Sequence, residues 1–167
     1  IKAVIFKGFL KIAMFIFVAP LLGMISAMVF TVLIMHLFRK SVPAQANKKF
    51  RYLQLVSAFV YSIGHGTNDA QKSMGIIALT LYSAKMIPAF EVDNWVIFSC
   101  HAAIALGTMF GGWRIVKNMG TSITRVRAME GFCAETASAL VILGTSHFGI
   151  PVSTTHVISG SIMGVGT

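Results

Sequence analysis

Acidic residues are almost missing from this chain of 167 residues. Only 5 Asp and Glu stand beside 14 Lys and Arg, and charged residues make up 11%. A soluble domain carries about 25% charge, so a chain folded entirely against water is excluded. Apolar side chains fill the deficit, at 56% of the total and a mean hydropathy of +0.78. Cysteine is also scarce. Cys100 and Cys133 lie in apolar surroundings with no CxxC spacing, which argues against a disulfide or a thiolate metal site and reads as core filling. There is no GxxxxGK[ST] loop, so nucleotide binding has no support. His65, His101, His147 and His156 are scattered without an HxxxH pair, and no zinc site is expected. The apolar runs are continuous, whereas barrel strands would read as alternating segments of ~10 residues. The net charge of +9 comes without any RNA- or DNA-binding motif, so a nucleic-acid partner is not expected. The cations cluster between apolar runs, as the positive-inside bias of a membrane protein places them.

What is present is a series of long apolar segments. Ile1 to Lys11, with Lys2, Lys7 and Lys11, suits a helix entering from the membrane interface. Ile12 to Phe38 has no Asp, Glu, Lys or Arg and exceeds the ~20 residues needed to span a bilayer. Pro20 should kink it. Arg39, Lys40, Lys48, Lys49 and Arg51 surround Ser41-Val42-Pro43-Ala44, which reads as a cytoplasmic loop. Tyr52 to Ala84 follows as a long segment broken at Gly64 to Asn68. Lys85 to Asp93 is short, poorly basic and expected outside. Asn94 to Trp113 is an uncharged span with Trp95 and Trp113 at its ends, as an aromatic belt would place them. Arg114, Lys117, Arg125 and Arg127 form a second internal basic loop. The same alternation puts the basic N-terminal segment outside, so either that segment lies flat on the interface or one crossing is miscounted. Apart from Glu135, Gly131 to Thr167 has no Asp, Glu, Lys or Arg, and it breaks at His147 to His156. Two short arms about a Gly/Pro/Ser/Thr turn predict a re-entrant hairpin; the alternative is a second arm that continues as a full span. The chain begins at Ile1 without Met and stops at Thr167 inside an apolar run. Both ends read as cuts in a larger protein.

The chemistry concentrates in the two breaks. Gly64-His65-Gly66-Thr67-Asn68-Asp69-Ala70-Gln71-Lys72 puts charge at bilayer depth, where an acid or base costs about +2.5 to +3.5 kcal/mol, and is by default a functional site. The glycines are expected to unwind the helix and free carbonyls of Gly66 and Thr67 for a cation, beside Asn68 and Asp69. Asp69 can hold a cation or relay a proton; the plainer alternative is a pair with Lys72, three residues later. Ser153-Thr154-Thr155 opens the second arm of the hairpin, where hydroxyls and unpaired N–H groups suit an anion such as phosphate. Simple helix capping is the alternative. Glu135, among Cys133-Ala134 and Thr136-Ala137-Ser138, needs a partner, a proton or a cation if buried, or else reaches water at the interface.

Together these stretches carry a resemblance. Gly66 to Lys72, continued by Ser73-Met74-Gly75-Ile76-Ile77, resembles the GxND motif of the inorganic phosphate transporter (PiT) family. Pro151-Val152-Ser153-Thr154-Thr155-His156 resembles that family's P-V-S-T-T-H motif, and Val18-Ala19-Pro20-Leu21-Leu22-Gly23 its S-P-L-L-G turn. The likeness covers nearly the whole chain, and the GTNDAQK wording is similar to bacterial members. It implies two inverted repeats, each with a G-x-N-D and an S-T-T-H, carrying phosphate with sodium or protons, usually in a dimer. By position, Asn68, Asp69, Ser153, Thr154 and Thr155 would bind phosphate, and Asp69, Asn68 and Glu135 would serve cation coupling. Each motif occurs once here, so residues 1–167 read as a single repeat, the C-terminal half of a transporter, with the N-terminal repeat missing.

The expected protein is therefore all-α: a polytopic protein of the cell membrane, such as the bacterial inner membrane, with a broken transmembrane helix and a re-entrant helical hairpin. Its expected activity is Na+- or H+-coupled phosphate symport, with no resident cofactor or metal. A carrier of another tetrahedral oxyanion such as sulfate, or a phosphate sensor that binds without transport, are the alternatives. Enzymatic activity is not expected, because no nucleophile has a neighbouring general base; Asp69 with His65 is too thin a case.

Overall fold

Among the described residues five helices account for most of the backbone and no strand occurs. The computed structural model describes residues 6–40, 43–122, 127–150 and 152–166. In order these are α1 (Phe6–Leu37), α2 (Pro43–Ser83), α3 (Asn94–Ser122), α4 (Ala128–His147) and α5 (Thr154–Val165). Two segments are long and apolar enough to cross a membrane, Ile12–Leu37 in α1 and Asn94–Gly112 in α3.

Helices α1, α4 and α5 pack on one another, with α5 lying most extensively along α1. The closeness of that contact follows from three glycines. A Cβ on Gly160 would run into the carbonyl oxygen of Pro20, one on Gly164 into that of Met24, and one on Gly23 into that of Val157. Small residues let two backbones touch, which is how helices associate where lipid removes most of the hydrophobic drive. Ala19 and Ala27 on α1 are fully buried in the same seam. α1 runs through Pro20, whose missing N–H leaves one carbonyl of the preceding turn without its helical donor. Ser161 ties three helices together: it accepts from Ser138 of α4 at 2.8 Å and donates to the Gly23 carbonyl of α1 at 3.1 Å. Towards one end of this group Phe30, Phe38, Phe50 and Phe132 pack with tilted rings around Ala27, Cys133, Ala137 and Ile162.

Helix α2 flanks this group. It packs against α4 on one side and against α3 on the other, where Ala70 and Met74 meet Val96 and Cys100. Both cysteines are free and buried, each in one of these seams, as small core residues should be.

Several boundaries differ from those read in the sequence. α2 starts at Pro43, so Lys48, Lys49 and Arg51 lie on a helix and not in a loop; Pro is favoured in the first turn, where its missing N–H costs nothing. α3 continues to Ser122, which puts Arg114 and Lys117 on its last turns. Ser41, Val42, Arg125, Pro151 and the side chain of Trp113 lie outside the described residues.

The largest correction concerns α2, which is unbroken from Pro43 to Ser83. Two glycines cost a helix only about 1 kcal/mol each, too little against the packing of a 41-residue helix on two neighbours. Gly64 itself sits against Leu143 of α4. The carbonyls of Gly66 and Thr67 stay within the helix and form no cation cage.

The hairpin of α4 and α5 is present as two packed helices reversed within a few residues. Its sequence consists of stop and start signals. Gly149 takes a left-handed φ of 63°. The N–H of Gly149 donates to Ser146 and that of Ile150 to Thr145, which closes α4 in a Schellman motif. Ser153 then caps α5, its side chain accepting from the His156 N–H at 3.4 Å. α4 has 20 residues, about 30 Å of helix, but is not one of the two segments long and apolar enough to cross a membrane.

Candidate functional site

The two motifs meet although 85 residues separate Asp69 from Thr154. On α2, Asn68, Asp69 and Lys72 face the turn that leads into α5. The Asn68 amide donates to the Val152 carbonyl at 3.3 Å, and Lys72 Nζ donates to the same carbonyl at 3.1 Å. Thr154 Oγ1 donates to Asp69 Oδ2 at 3.3 Å, while Lys72 Nζ donates to Asp69 Oδ1 at 2.9 Å. His65, one turn earlier, brings Nε2 to 3.6 Å from Asp69 Oδ2. A helix that passes through this region places residues 65, 69 and 72 on one face. That face, not an unwound backbone, aims the polar groups at the turn.

Asp69 pairs with Lys72, the plainer of its two expected uses, and it also reaches across to α5. Its side chain is 34% exposed and that of Lys72 46%, so the cluster is open on one side. Thr154 is buried and Asn68 nearly so, while Thr155 is exposed. The hydroxyl oxygen of Ser153 accepts the capping N–H, which leaves its O–H free to donate outward.

Glu135 does not join this cluster. It extends from α4 towards the earlier part of α2, where Ser57 Oγ donates to its Oε2 at 2.7 Å. Ser57 precedes Asp69 by 12 residues, about 18 Å of helix. Two acidic centres therefore lie along one helix, one at each end of a polar stripe.

A family profile described as the phosphate transporter family matches residues 1–167. This chain belongs to the phosphate transporter family. It is 48% identical over 166 residues to a protein of Rhizobium meliloti (strain 1021) named a probable low-affinity inorganic phosphate transporter, covering 99% of this chain and 50% of that protein. A Bacillus subtilis (strain 168) protein of the same name is 41% identical over 162 residues, 96% of this chain and 49% of its own. A zebrafish (Danio rerio) protein named sodium-dependent phosphate transporter 1-A is 35% identical over 125 residues, 73% of this chain and 19% of its own. The chain spans about half the length of the bacterial relatives it matches. No solved structure matches. Membership of a transporter family and two apolar helices of spanning length make this a membrane protein, and the family is one of transporters, not enzymes.

In this phosphate transporter family member, two features escaped the sequence reading. One is the stripe itself: Ser57, Tyr61, His65 and Asp69 recur every four residues, and Tyr61 stacks on His65 with ring centroids 5.8 Å apart. A count of polar residues at helical spacing would have found it. The other is the pair Gly160 and Gly164, a small-xxx-small pattern visible in the sequence. Ser57 is the first of these residues to test. Ser57→Ala removes the hydroxyl that serves Glu135 and is expected to destabilise the fold by about 1.5 to 3 kcal/mol. Thermal unfolding of the purified protein in detergent checks it, and an unchanged midpoint would refute the pairing.

Proposed function

We propose that this chain forms half of the substrate site of a cation-coupled inorganic phosphate symporter of the cell membrane. The supporting observation is the union of Asn68, Asp69 and Lys72 on α2 with Val152 and Thr154 at the start of α5. Phosphate would be received by the hydroxyls of Thr154, Thr155 and Ser153 and by the N–H groups that open α5, where the helix dipole favours negative charge. Lys72 adds a positive charge beside them. A cation taken up at Asp69 with Asn68 would offset the rest, and Glu135 would hold the second coupling position. The zebrafish relative's name, a sodium-dependent phosphate transporter, favours sodium as the coupling ion, although a carboxylate can also carry a proton.

On this reading the chain is one of two inverted repeats. The α4–α5 hairpin is re-entrant, and the protein crosses the bilayer several times. The missing N-terminal repeat supplies the other half of the site, complete transporters pair as dimers, and rocking of one repeat against the other alternates access.

The test is labelled phosphate uptake into proteoliposomes of the complete transporter, with sodium and proton gradients imposed separately. Uptake driven by one gradient is expected and names the ion. Phosphate binding without uptake under either gradient would replace the symporter with a sensor. Equal competition by sulfate would widen the substrate to tetrahedral oxyanions.

A further inference from the structure

The first turns of α2 carry a second anion-attracting feature on their outward face. Lys48, Arg51, Tyr52 and Leu55 fall at positions i, i+3, i+4 and i+7, one face of the helix, and with Gln54 they line a shallow recess open to the surface. Among the described residues no acidic side chain lines it, and the ion pairs all involve Asp69. Arg39 and Lys40, exposed just past the end of α1, add to the positive field. The opposite face of α2 is occupied: Phe50 is buried among Phe38 and Phe132, and Ser57 serves Glu135. The recess therefore opens outward from the helix packing.

Its order along the helix decides what it suits. The cations come first, then Tyr52, then a strip of exposed apolar residues, with Leu55 at 68% and Phe59 at 67% exposure. From Lys48 to Phe59 is 11 residues, about 17 Å of helix. Charge, amphipathic ring and hydrocarbon in that sequence reproduce the layers of one membrane leaflet, with the aromatic at the headgroup boundary. A free phosphate ion has no use for the apolar strip. We infer that this recess binds an anionic phospholipid, its headgroup phosphate between Lys48 and Arg51 and an acyl chain along Leu55 and Phe59. Basic recesses at the cytoplasmic ends of membrane helices hold acidic headgroups by this combination of charge and snorkelling stems.

The test uses the complete transporter in mild detergent, mixed with equal amounts of phosphatidylglycerol and phosphatidylcholine, with bound lipid read by native mass spectrometry. Phosphatidylglycerol is expected to be retained at least tenfold over phosphatidylcholine. The double variant K48Q/R51Q should lose most of that preference, whereas Lys85→Gln, which removes a charge elsewhere, should keep it. Equal retention of the two lipids, or an unchanged preference in K48Q/R51Q, would overturn the proposal. Displacement of phosphatidylglycerol by millimolar inorganic phosphate would also overturn it, in favour of a simple anion site. A K48Q/R51Q protein that keeps its lipid preference but no longer assembles to its native size would reassign the face to a protein contact. An arm that needs no variant uses phosphatidylglycerol with a photoreactive acyl chain: adducts within residues 52–59 are expected, and their absence there refutes the site.

Discussion

An Asp69→Asn transporter is expected to insert, fold and accumulate no phosphate above background, a loss of more than about a hundredfold. Asparagine keeps the shape and can still accept from Lys72 through its one carbonyl oxygen, though not also from Thr154, which bonds the other oxygen of Asp69. What it cannot keep is the charge. In the native cluster the Asp69 carboxylate is matched by Lys72 at 2.9 Å and touched by Thr154 at 3.3 Å. Without it the site carries the net positive charge of Lys72 alone. Phosphate could then still be attracted, but no carboxylate would remain to take up a driving cation, so binding and accumulation should separate. Measuring both phosphate binding and gradient-driven uptake tests this directly. Wild-type uptake in the variant would remove Asp69 from the mechanism and sink the proposed site. Since α2 is a continuous helix here and needs no ion to hold an unwound stretch, the substitution has no reason to prevent insertion.

The second large effect is expected far from any charge. Gly160→Val would place Cβ on the Pro20 carbonyl, whose backbone cannot step aside as a flexible side chain could. Either α5 moves away from α1, opening the buried seam of Ala19, Ala27, Gly23 and Ser161, or α1 bends at Pro20. Overpacking of this kind costs about 1 to 3 kcal/mol or more, and here it also threatens the Ser138–Ser161–Gly23 hydrogen bonds. A fall in thermal stability large enough to deplete the folded protein in detergent is expected. The readout is built into the chain: Cys100 and Cys133 are buried thiols, so a thiol-reactive dye reports unfolding. Gly66→Ala is the control. Nothing lies within 4 Å of a Cβ there, so it should be neutral or stabilising by up to about 1 kcal/mol. Equal stability of Gly160→Val and Gly66→Ala would refute the close approach of α1 and α5.

The two breaks in the apolar pattern have different physical origins. At His147 to His156 the residue types act locally: Gly149 supplies a left-handed turn and Ser153 a cap, and neither needs a distant partner to do so. The reversal between α4 and α5 was therefore legible. At Gly64 to Asn68 the residue types are equally suggestive of a break, yet α2 continues. There the outcome depended on what packs beside the glycines, Leu143 of α4 at Gly64, and no local pattern carries that information. The placement of Glu135 on Ser57, about three turns from Asp69, was hidden for the same reason.

The sequence by itself determined that this is an all-helical membrane protein, because apolar runs without charge leave the backbone no partner except its own helix. It also singled out Asn68, Asp69 and Thr154 as candidates to carry chemistry, because polar groups are costly in such a setting unless used. Only the tertiary structure decided how they are arranged. Whether two glycines unwind a helix is a contest of about 2 kcal/mol of propensity against packing with α3 and α4. Whether Asp69 meets Thr154 or Glu135 depends on the register of α2 along its neighbours. Those are sums over many contacts between residues distant in the chain, and they exist only once the helices are docked.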